Sequence, residues 1–253
     1  MTRLTIRFHG DLNDFFLLRA RRESAIIYDV EGTPSLKDVV ESLGVPHTEV
    51  GALLVNGASV PFTMLARAGD QIEAYAVAAP LPPVTPIYHL QPPAPTPARF
   101  VLDVHLGRLA AYLRPLGFDT RYQNFCDDDV LARISSEEER ILLTRDVGLL
   151  KRGIVVYGHF VRATQPEAQL REVVERFHLG ASFAPFERCL RCNGLLDPVS
   201  PASVANELPA NVARDYDEFF RCQSCAQVYW KGTHYERMRE LIERMAQAGA
   251  DAS

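Results

Sequence analysis

Residues 100–146 read FVLDVHLGRLAAYLRPLGFDTRYQNFCDDDVLARISSEEERILLTRD, and this stretch decides the fold of the chain. It contains two apolar runs, FVLD and ILLTRD, which end on Asp103 and Asp146. Apolar runs of four or five residues without alternation predict strands that are buried on both faces, as in a parallel sheet covered by helices. Ligands bind outside the carboxyl ends of such strands, so we expect both aspartates at a functional edge of the sheet.

Acidic side chains in this stretch predict a site for a divalent cation. If the two strands are neighbours, Asp103 and Asp146 meet one of the triplet Asp127, Asp128 and Asp129, and carboxylates held so closely need a cation to offset their repulsion. Oxygen ligands without histidine favour Mg²⁺ or Mn²⁺. A metal held in this way can activate water at a phosphodiester, which predicts a metal-dependent nuclease. The alternative is structural, because an aspartate at the end of a strand often caps the next helix.

Composition limits the class of protein. The 253 residues, 47% hydrophobic and 23% charged, are typical of a globular chain with one large domain or two to three small ones. A formal net charge of -5 excludes an overall basic field, so nucleic-acid contact needs a local patch. No apolar run is long enough to span a bilayer, and MTRLTIRFHG alternates like a strand rather than a signal peptide. We therefore expect a cytoplasmic protein without membrane contact.

Residues 1–79 predict a separate ubiquitin-like domain of the β-grasp type. The order is two strands (LTIRF, SAIIYDV), the helix SLKDVVESLG with Ser35 as its N-cap, and two strands (ALLVNG, GDQIEAYAV). The LVNG turn and the GDQIE segment resemble the small sulfur carriers of that superfamily. Those carriers act through a free C-terminal Gly-Gly, whereas this chain continues through AVAAPLPP. The domain is therefore expected to bind a protein partner or present a substrate rather than transfer sulfur.

Two further segments follow. Residues 80–97 contain eight of the chain's 17 prolines, which predicts an extended linker. Residues 98–184 alternate strand and helix signals, which predicts an α/β domain with a mainly parallel sheet. Arg108, Arg145 and Lys151 lie near the proposed edge and are candidates to bind phosphate groups. Arg114 is expected to lie on a solvated helix face.

Residues 185–253 predict a metal-stapled ribbon followed by a helix. CLRC and CQSC supply Cys189, Cys192, Cys222 and Cys225, four thiolates for a structural, tetrahedral zinc ion. A redox dithiol is the alternative, but neither pair stands where a strand leads into a helix, as in thioredoxin-like proteins. An apolar stripe predicts the terminal amphipathic helix: Tyr235, Met238, Leu241, Ile242 and Met245.

The segment QVYWKGTHYERM follows the second cysteine pair and is dense in aromatic and basic residues. Tyr229 and Trp230 are candidates to stack on unpaired bases, and Lys231 and His234 to contact phosphate. The alternative is that these side chains seal the ribbon against the domain before it.

Taken together, these motifs resemble a known family. The segments LDVHLGRLAAYLRPLGFDTRY, DDDVLARI, RILLTRD, CLRCN and CQSCAQVYWKGTHYERM are similar to the Mut-7 C-terminal RNase family, a PIN-like nuclease fold with a zinc ribbon. The β-grasp module and proline linker resemble the ubiquitin-like domain fused to that family in bacteria. The resemblance implies a PIN-type site with Asp103, Asp128 and Asp146 as the metal-binding acids, and with Asp127 and Asp129 as alternatives to Asp128. PIN nucleases often carry a fourth acid, which VGLLKRG after Asp146 lacks.

The predicted fold class is therefore α+β and α/β multidomain: a β-grasp domain, a PIN-like α/β nuclease domain and a zinc ribbon. Two hypotheses for function follow from it. The first is a ribonuclease that hydrolyses RNA phosphodiester bonds with Mg²⁺ or Mn²⁺, while zinc holds the ribbon. The second is a non-catalytic RNA-binding adaptor, associated with tRNA or the ribosome, which uses the ribbon and the YWKG segment.

Overall fold

The computed structural model describes residues 2–16 and 25–251, and the chain divides into two compact units. The first unit consists of Met1–Ala94 and Asp127–Phe160, and the second of Pro95–Cys126 and Val161–Ser253. Neither unit is continuous in sequence. Ser24, the first residue of the predicted strand SAIIYDV, lies outside the described residues.

The described residues contain twelve strands and eight α-helices. The strands are β1 Thr2–His9, β2 Ile26–Val30, β3 Val50–Val55, β4 Ala58–Val60, β5 Gln71–Ala76, β6 Arg99–Leu102, β7 Asp119–Tyr122, β8 Ile141–Thr144, β9 Gly158–Phe160, β10 Leu196–Val199, β11 Phe219–Cys222 and β12 Val228–Trp230. The helices are α1 Leu36–Ser42, α2 Gly107–Leu113, α3 Asp128–Glu137, α4 Val147–Leu150, α5 Pro166–Arg176, α6 Pro201–Val204, α7 Ala210–Asp215 and α8 Thr233–Asp251.

The first unit contains a five-stranded sheet in the order β2-β1-β5-β3-β4. β1 and β5 are parallel, and the other pairs are antiparallel. Ser35 caps α1 as predicted, because its Oγ accepts a hydrogen bond from the backbone N–H of Asp38 at 3.2 Å. The predicted LVNG turn joins β3 to β4, with Asn56 and Gly57 at φ 51° and 85°, the left-handed geometry of a tight hairpin.

The proline-rich segment has no helix or strand, but part of it packs on the sheet of the first unit. Leu81, Val84 and Ile87 contact the small apolar cluster of Ala52, Leu54 and Tyr75. The backbone N–H of Leu90 also donates to Gly51 O at 2.9 Å. Residues of the predicted linker from Leu81 to Leu90 therefore pack on the domain before it.

The first unit also contains α3, β8, α4 and β9, with β8 and β9 paired in parallel. All four residues of β8 are buried, as its apolar run predicts. The strand predicted in IVVYGHFVRA is shorter than expected. Ile154 and Val156 are 48% and 44% exposed, and regular pairing begins only at Gly158.

The second unit pairs β6 and β7 in parallel and adds the antiparallel sheet β10-β11-β12. The predicted terminal helix is α8, and Met238, Leu241, Ile242 and Met245 are buried along it. Gly117 follows α2 at φ 98°, and a Cβ there would lie 2.3 Å from Ala184 O, so glycine is required at this close approach.

None of the helices in the described part of the chain combines the length and the apolar composition needed to cross a membrane.

Candidate metal centre and nucleic-acid interface

Four cysteine sulfurs meet in the second unit and form the candidate metal centre. Cys189 and Cys192 precede β10, Cys222 ends β11, and Cys225 lies on the turn to β12. Their Sγ atoms all lie within 4.8 Å of one another. Cys189 and Cys225 are 3.6 Å apart, and Cys192 and Cys222 are 3.4 Å apart. The structure thus brings all four predicted cysteines into one group that could hold a metal ion.

The two cysteine loops share one backbone geometry. In each loop, the residue four positions after the first cysteine, Asn193 or Ala226, adopts a left-handed conformation with φ 71° or 58°. Its N–H donates to the carbonyl of that cysteine, at 2.9 Å from Cys189 O and 3.0 Å from Cys222 O. Each loop therefore folds back and directs both of its sulfurs to the same point.

The electrostatics of the cluster fit a cation. Burial acts to raise the pKa of Cys189, but hydrogen bonds from Tyr229 Oη and nearby backbone N–H groups lower it to about 7. Burial raises the pKa of Cys192 to about 12. Thiols this close cannot all ionise in the absence of positive charge, whereas a bound divalent metal deprotonates its thiol ligands. The donor set is therefore suited to a thiophilic metal.

The spacing also fits tetrahedral coordination. With zinc–sulfur bonds of about 2.3 Å, sulfurs at the corners of a tetrahedron lie roughly 3.8 Å apart. Two of the six separations, 3.4 and 3.6 Å, are close to this value, and all six lie within 4.8 Å. Space around the sulfurs is tight, since a Cβ on Gly194 would lie 3.0 Å from Cys222 Sγ. Four thiolates would fill the shell of a bound zinc ion, as they do in structural rather than catalytic zinc sites.

Arg114 ties the first cysteine loop to α2. The side chain is 6% exposed, which contradicts the expectation of a solvated helix face. Its Nη1 donates to Leu190 O at 2.8 Å and Arg191 O at 3.1 Å, and its Nε and Nη2 donate to Thr120 O. Burial lowers the pKa of Arg114, and the neighbouring cysteines oppose that shift. These carbonyls give the buried guanidinium its hydrogen-bond acceptors, so Arg114 is a structural residue.

An aromatic pocket of about 590 Å³ lies beside the metal centre. Four of the seven residues predicted to bind RNA line it: Tyr229, Trp230, Lys231 and His234. Phe186 and Tyr235 also line it, with rings stacked at 4.2 Å and 28°. The pocket has the size and mainly apolar lining of small-ligand sites.

The predicted RNA-binding residues of this pocket have structural contacts as well. Tyr229 Oη lies 3.1 Å from Cys189 Sγ, so this ring supports the cysteine cluster. Trp230 packs partly against the small apolar core of the ribbon. Lys231 forms an ion pair with Glu218, and His234 is exposed. Stacking on bases therefore stays a prediction, and the packing alternative for Trp230 has direct support.

The predicted catalytic acids occupy both units. Asp103, directly after β6, is 5% exposed and belongs to the second unit. Asp128 begins α3 and Asp146 follows β8 by two residues, both in the first unit. Their convergence, and the metal they would share, stay predictions.

The acids of the first unit also have local roles. Asp146 caps α4, because its Oδ1 accepts hydrogen bonds from the N–H groups of Gly148 at 2.6 Å and Leu149 at 3.3 Å. Asp127 is the N-cap residue of α3 without a side-chain cap hydrogen bond. Asp129 forms an ion pair with Arg152. The capping alternative is therefore realised at Asp146, while Asp128 remains the preferred acid of the triplet.

The remaining predicted phosphate contacts lie on helices and loops. Arg108 on α2 and Arg145 after β8 are exposed. Lys151 is partly buried, and its Nζ donates to Glu41 O. Exposed side chains at Arg108 and Arg145 are compatible with phosphate contact, which stays a prediction.

Sequence reasoning missed a buried pair in the first unit, Glu49 and His159. These side chains are 3% and 2% exposed, and Glu49 Oε1 lies 3.1 Å from His159 Nδ1. Glutamate and histidine 110 positions apart give no local signal. The one available hint was a charged residue, Glu49, next to the apolar run VGALLV.

Two family models match the chain. The model described as the Mut7-C RNAse domain matches residues 98–242, and the model described as Mut7-C ubiquitin matches residues 1–81. No match was found among curated proteins or among solved structures. The first range ends at the beginning of the proline-rich segment, and the second begins directly after that segment.

Proposed function

We propose, from the premise that this chain belongs to the Mut7-C RNAse family, that it hydrolyses RNA phosphodiester bonds at a PIN-type carboxylate site. The family match over residues 98–242 carries the ribonuclease assignment. Two of the acids, Asp103 and Asp146, come just after buried strands, where a parallel sheet presents ligand-binding groups, and this supports the choice of site. RNA is the substrate, the four cysteines hold zinc, and the protein acts in the cytoplasm.

Asp103, Asp128 and Asp146 would hold Mg²⁺ or Mn²⁺. Asp103 is 5% exposed and directly follows β6, at the end of a strand, where a parallel sheet presents ligand-binding groups. At Asp146, capping uses Oδ1, so Oδ2 is the oxygen we assign to the metal. Asp129 is a weaker candidate than Asp128 because it pairs with Arg152. When bound, the metal would activate water and stabilise the leaving oxygen.

Single substitutions test this site. We expect Asp103→Asn and Asp146→Asn to lower Mn²⁺-dependent cleavage of a labelled single-stranded RNA by about 1,000-fold, since a catalytic metal supplies several kcal/mol. Asp215→Asn, at an exposed aspartate paired with Arg214, is the matched control and should cleave normally. Far-UV circular dichroism checks that each variant is folded. Wild-type cleavage by folded Asp103→Asn protein would refute the site.

The second candidate function is a non-catalytic RNA-binding adaptor. The aromatic pocket favours it, because partly buried rings with Lys231 and His234 beside them can bind unpaired bases without any reaction. Here, RNA affinity should survive Asp103→Asn and Asp146→Asn but fall in Trp230→Ala by about 10-fold or more, as stacking contributes roughly 1–3 kcal/mol per base. If wild-type protein binds RNA without cleaving it in Mn²⁺, the adaptor replaces the ribonuclease.

A further inference from the structure

The ubiquitin-like domain makes a buried polar contact with the segment that carries Asp128 and Asp146. Glu49 lies directly before β3, and its Oε1 accepts a hydrogen bond from the backbone N–H of Phe160 at 2.7 Å. The same oxygen lies 3.1 Å from His159 Nδ1. Glu49 and His159 are 3% and 2% exposed. A buried carboxylate is stable only when such partners satisfy it, so this contact depends on both segments being folded together.

A second set of contacts surrounds the first. His47 Nδ1 lies 2.7 Å from Glu41 Oε1, and its Nε2 lies 3.0 Å from Val155 O, so the ring joins α1 to the loop before β9. Lys151 Nζ donates to Glu41 O. Packing is close here as well, because a Cβ on Gly158 would lie 3.2 Å from Thr48 Cγ2.

The proline-rich segment supports the same region of the ubiquitin-like domain. The side-chain amide of Gln91 donates to His47 O at 2.6 Å and to Val50 O at 3.0 Å. Residues 47–50, which make the contacts with residues 155–160, are therefore held from both sides.

The contacts continue to the proposed acids. Asp146 caps α4, and Lys151, just beyond the end of that helix, is bonded to Glu41 O. The next residue, Arg152, pairs with Asp129, in the first turn of α3 beside Asp128. A shift at the ubiquitin-like domain would thus reach both α3 and α4.

We propose that the ubiquitin-like domain is a built-in positioning element for Asp128 and Asp146, acting through Glu49, His159 and the N–H of Phe160. The proposal rests on the proposed function, because it takes these acids as metal ligands. Glu49 is a positioning residue, since it contacts the segment that presents the acids rather than the acids themselves. The face formed by residues 41–50 is occupied in cis, so a protein partner of this domain would bind another face.

The test compares Glu49→Ala with Glu73→Ala. Glu73 lies on β5 of the same domain and bonds to Tyr75 Oη, without a contact to residues 127–160 among those described above. Two quantities are measured on the full chain: hydrogen exchange of the amides of residues 141–160, and the Mn²⁺ concentration that gives half-maximal RNA cleavage. Glu49→Ala should speed exchange and raise that Mn²⁺ concentration by about 10-fold, the usual effect of losing an outer support of a metal site. Glu73→Ala should change neither.

Each result decides the proposal. If Glu49→Ala leaves hydrogen exchange in residues 141–160 unchanged, the proposal is overturned. It is also overturned if exchange becomes faster but the Mn²⁺ concentration for half-maximal cleavage does not change, because the contact then only stabilises the fold. Glu49→Gln keeps the acceptor for the Phe160 N–H and should restore most of the Mn²⁺ response. If Glu49→Ala does not fold, His159→Ala, which removes the other side chain of the contact, takes its place with the same expected results. If the wild type does not cleave RNA, the nuclease proposal fails. The affinity for Mn²⁺, measured by calorimetry, then replaces the Mn²⁺ requirement of cleavage as the second quantity, so the positioning proposal is still tested by itself.

Discussion

The ubiquitin-like domain and the cysteine ribbon are stabilised in different ways. Fifteen described residues form the buried apolar cluster of the first, from Leu4 on β1 to Ala76 on β5. Four described residues, Val204, Val212, Phe219 and Val228, form the core of the second. Small modules with so little apolar burial need a metal or disulfides to fold. The same chain therefore has a large apolar core at one end, whereas the other end has a small core beside four cysteines that could hold a metal ion.

Metal removal should have the largest effect, and it should unfold the cysteine ribbon without unfolding the ubiquitin-like domain. Structural zinc in small modules contributes on the order of 10 kcal/mol to folding. We expect chelation, or Cys222→Ser, to abolish hydrogen-exchange protection in residues 189–230 while β1, β3 and β5 remain protected. Cys126→Ser, at the cysteine outside the cluster, is the control and should retain one zinc per chain by mass spectrometry. Equal loss of protection in both regions would contradict the comparison.

A core truncation in the ubiquitin-like domain should have the next largest effect. Leu53 is fully buried, and Leu53→Ala should lower the free energy of unfolding by about 2–5 kcal/mol in urea titrations, because it leaves a cavity. The zinc content should not change. Leu65→Ala, at a leucine that is 54% exposed, should cost less than about 0.5 kcal/mol. Loss of zinc in Leu53→Ala would show that the two regions fold as one cooperative unit.

Arg114→Lys should have the smallest of the three effects. Lysine cannot reproduce the guanidinium contacts with three carbonyl groups, and losing charged hydrogen bonds costs about 1.5–3 kcal/mol. Arg108→Lys, at an exposed arginine on α2, the helix that Arg114 directly follows, controls for the change of residue type. Urea unfolding followed by the fluorescence of Trp230, which lies in the ribbon, measures both. An unchanged unfolding midpoint in Arg114→Lys would show that the cysteines alone hold this loop.

Features encoded by neighbouring residues were predicted well. The family match confirms the predicted resemblance, and the Ser35 cap, the Asn56-Gly57 turn and the buried run of β8 follow from local preferences. The C-x-x-C spacing likewise indicates the metal cluster directly, because each pair folds into its own loop before the two meet.

Features that depend on distant partners were missed. Arg114 resembles any helix arginine in sequence, and its burial depends on carbonyls 76 and 77 positions later in the chain. The strand predicted from Ile154 shortened to three residues, because Ile154 and Val156 are exposed while only Val155 between them is buried, and regular pairing with β8 begins at Gly158. The meeting of Asp103 with Asp128 and Asp146 is of the same distant kind, and it stays a prediction.

Arg114 gives the two proposed metal sites an energetic link. Its guanidinium is bonded to carbonyls between Cys189 and Cys192, and its helix begins four residues after Asp103. We expect that removing a metal from the cysteine cluster would leave those carbonyls less restrained and loosen the helix that follows Asp103, the proposed catalytic acid. Thermodynamic linkage makes this influence mutual. Protein purified in strong chelator should then show low nuclease activity even after Mn²⁺ is added back. The zinc content of such a preparation should therefore be measured before its activity.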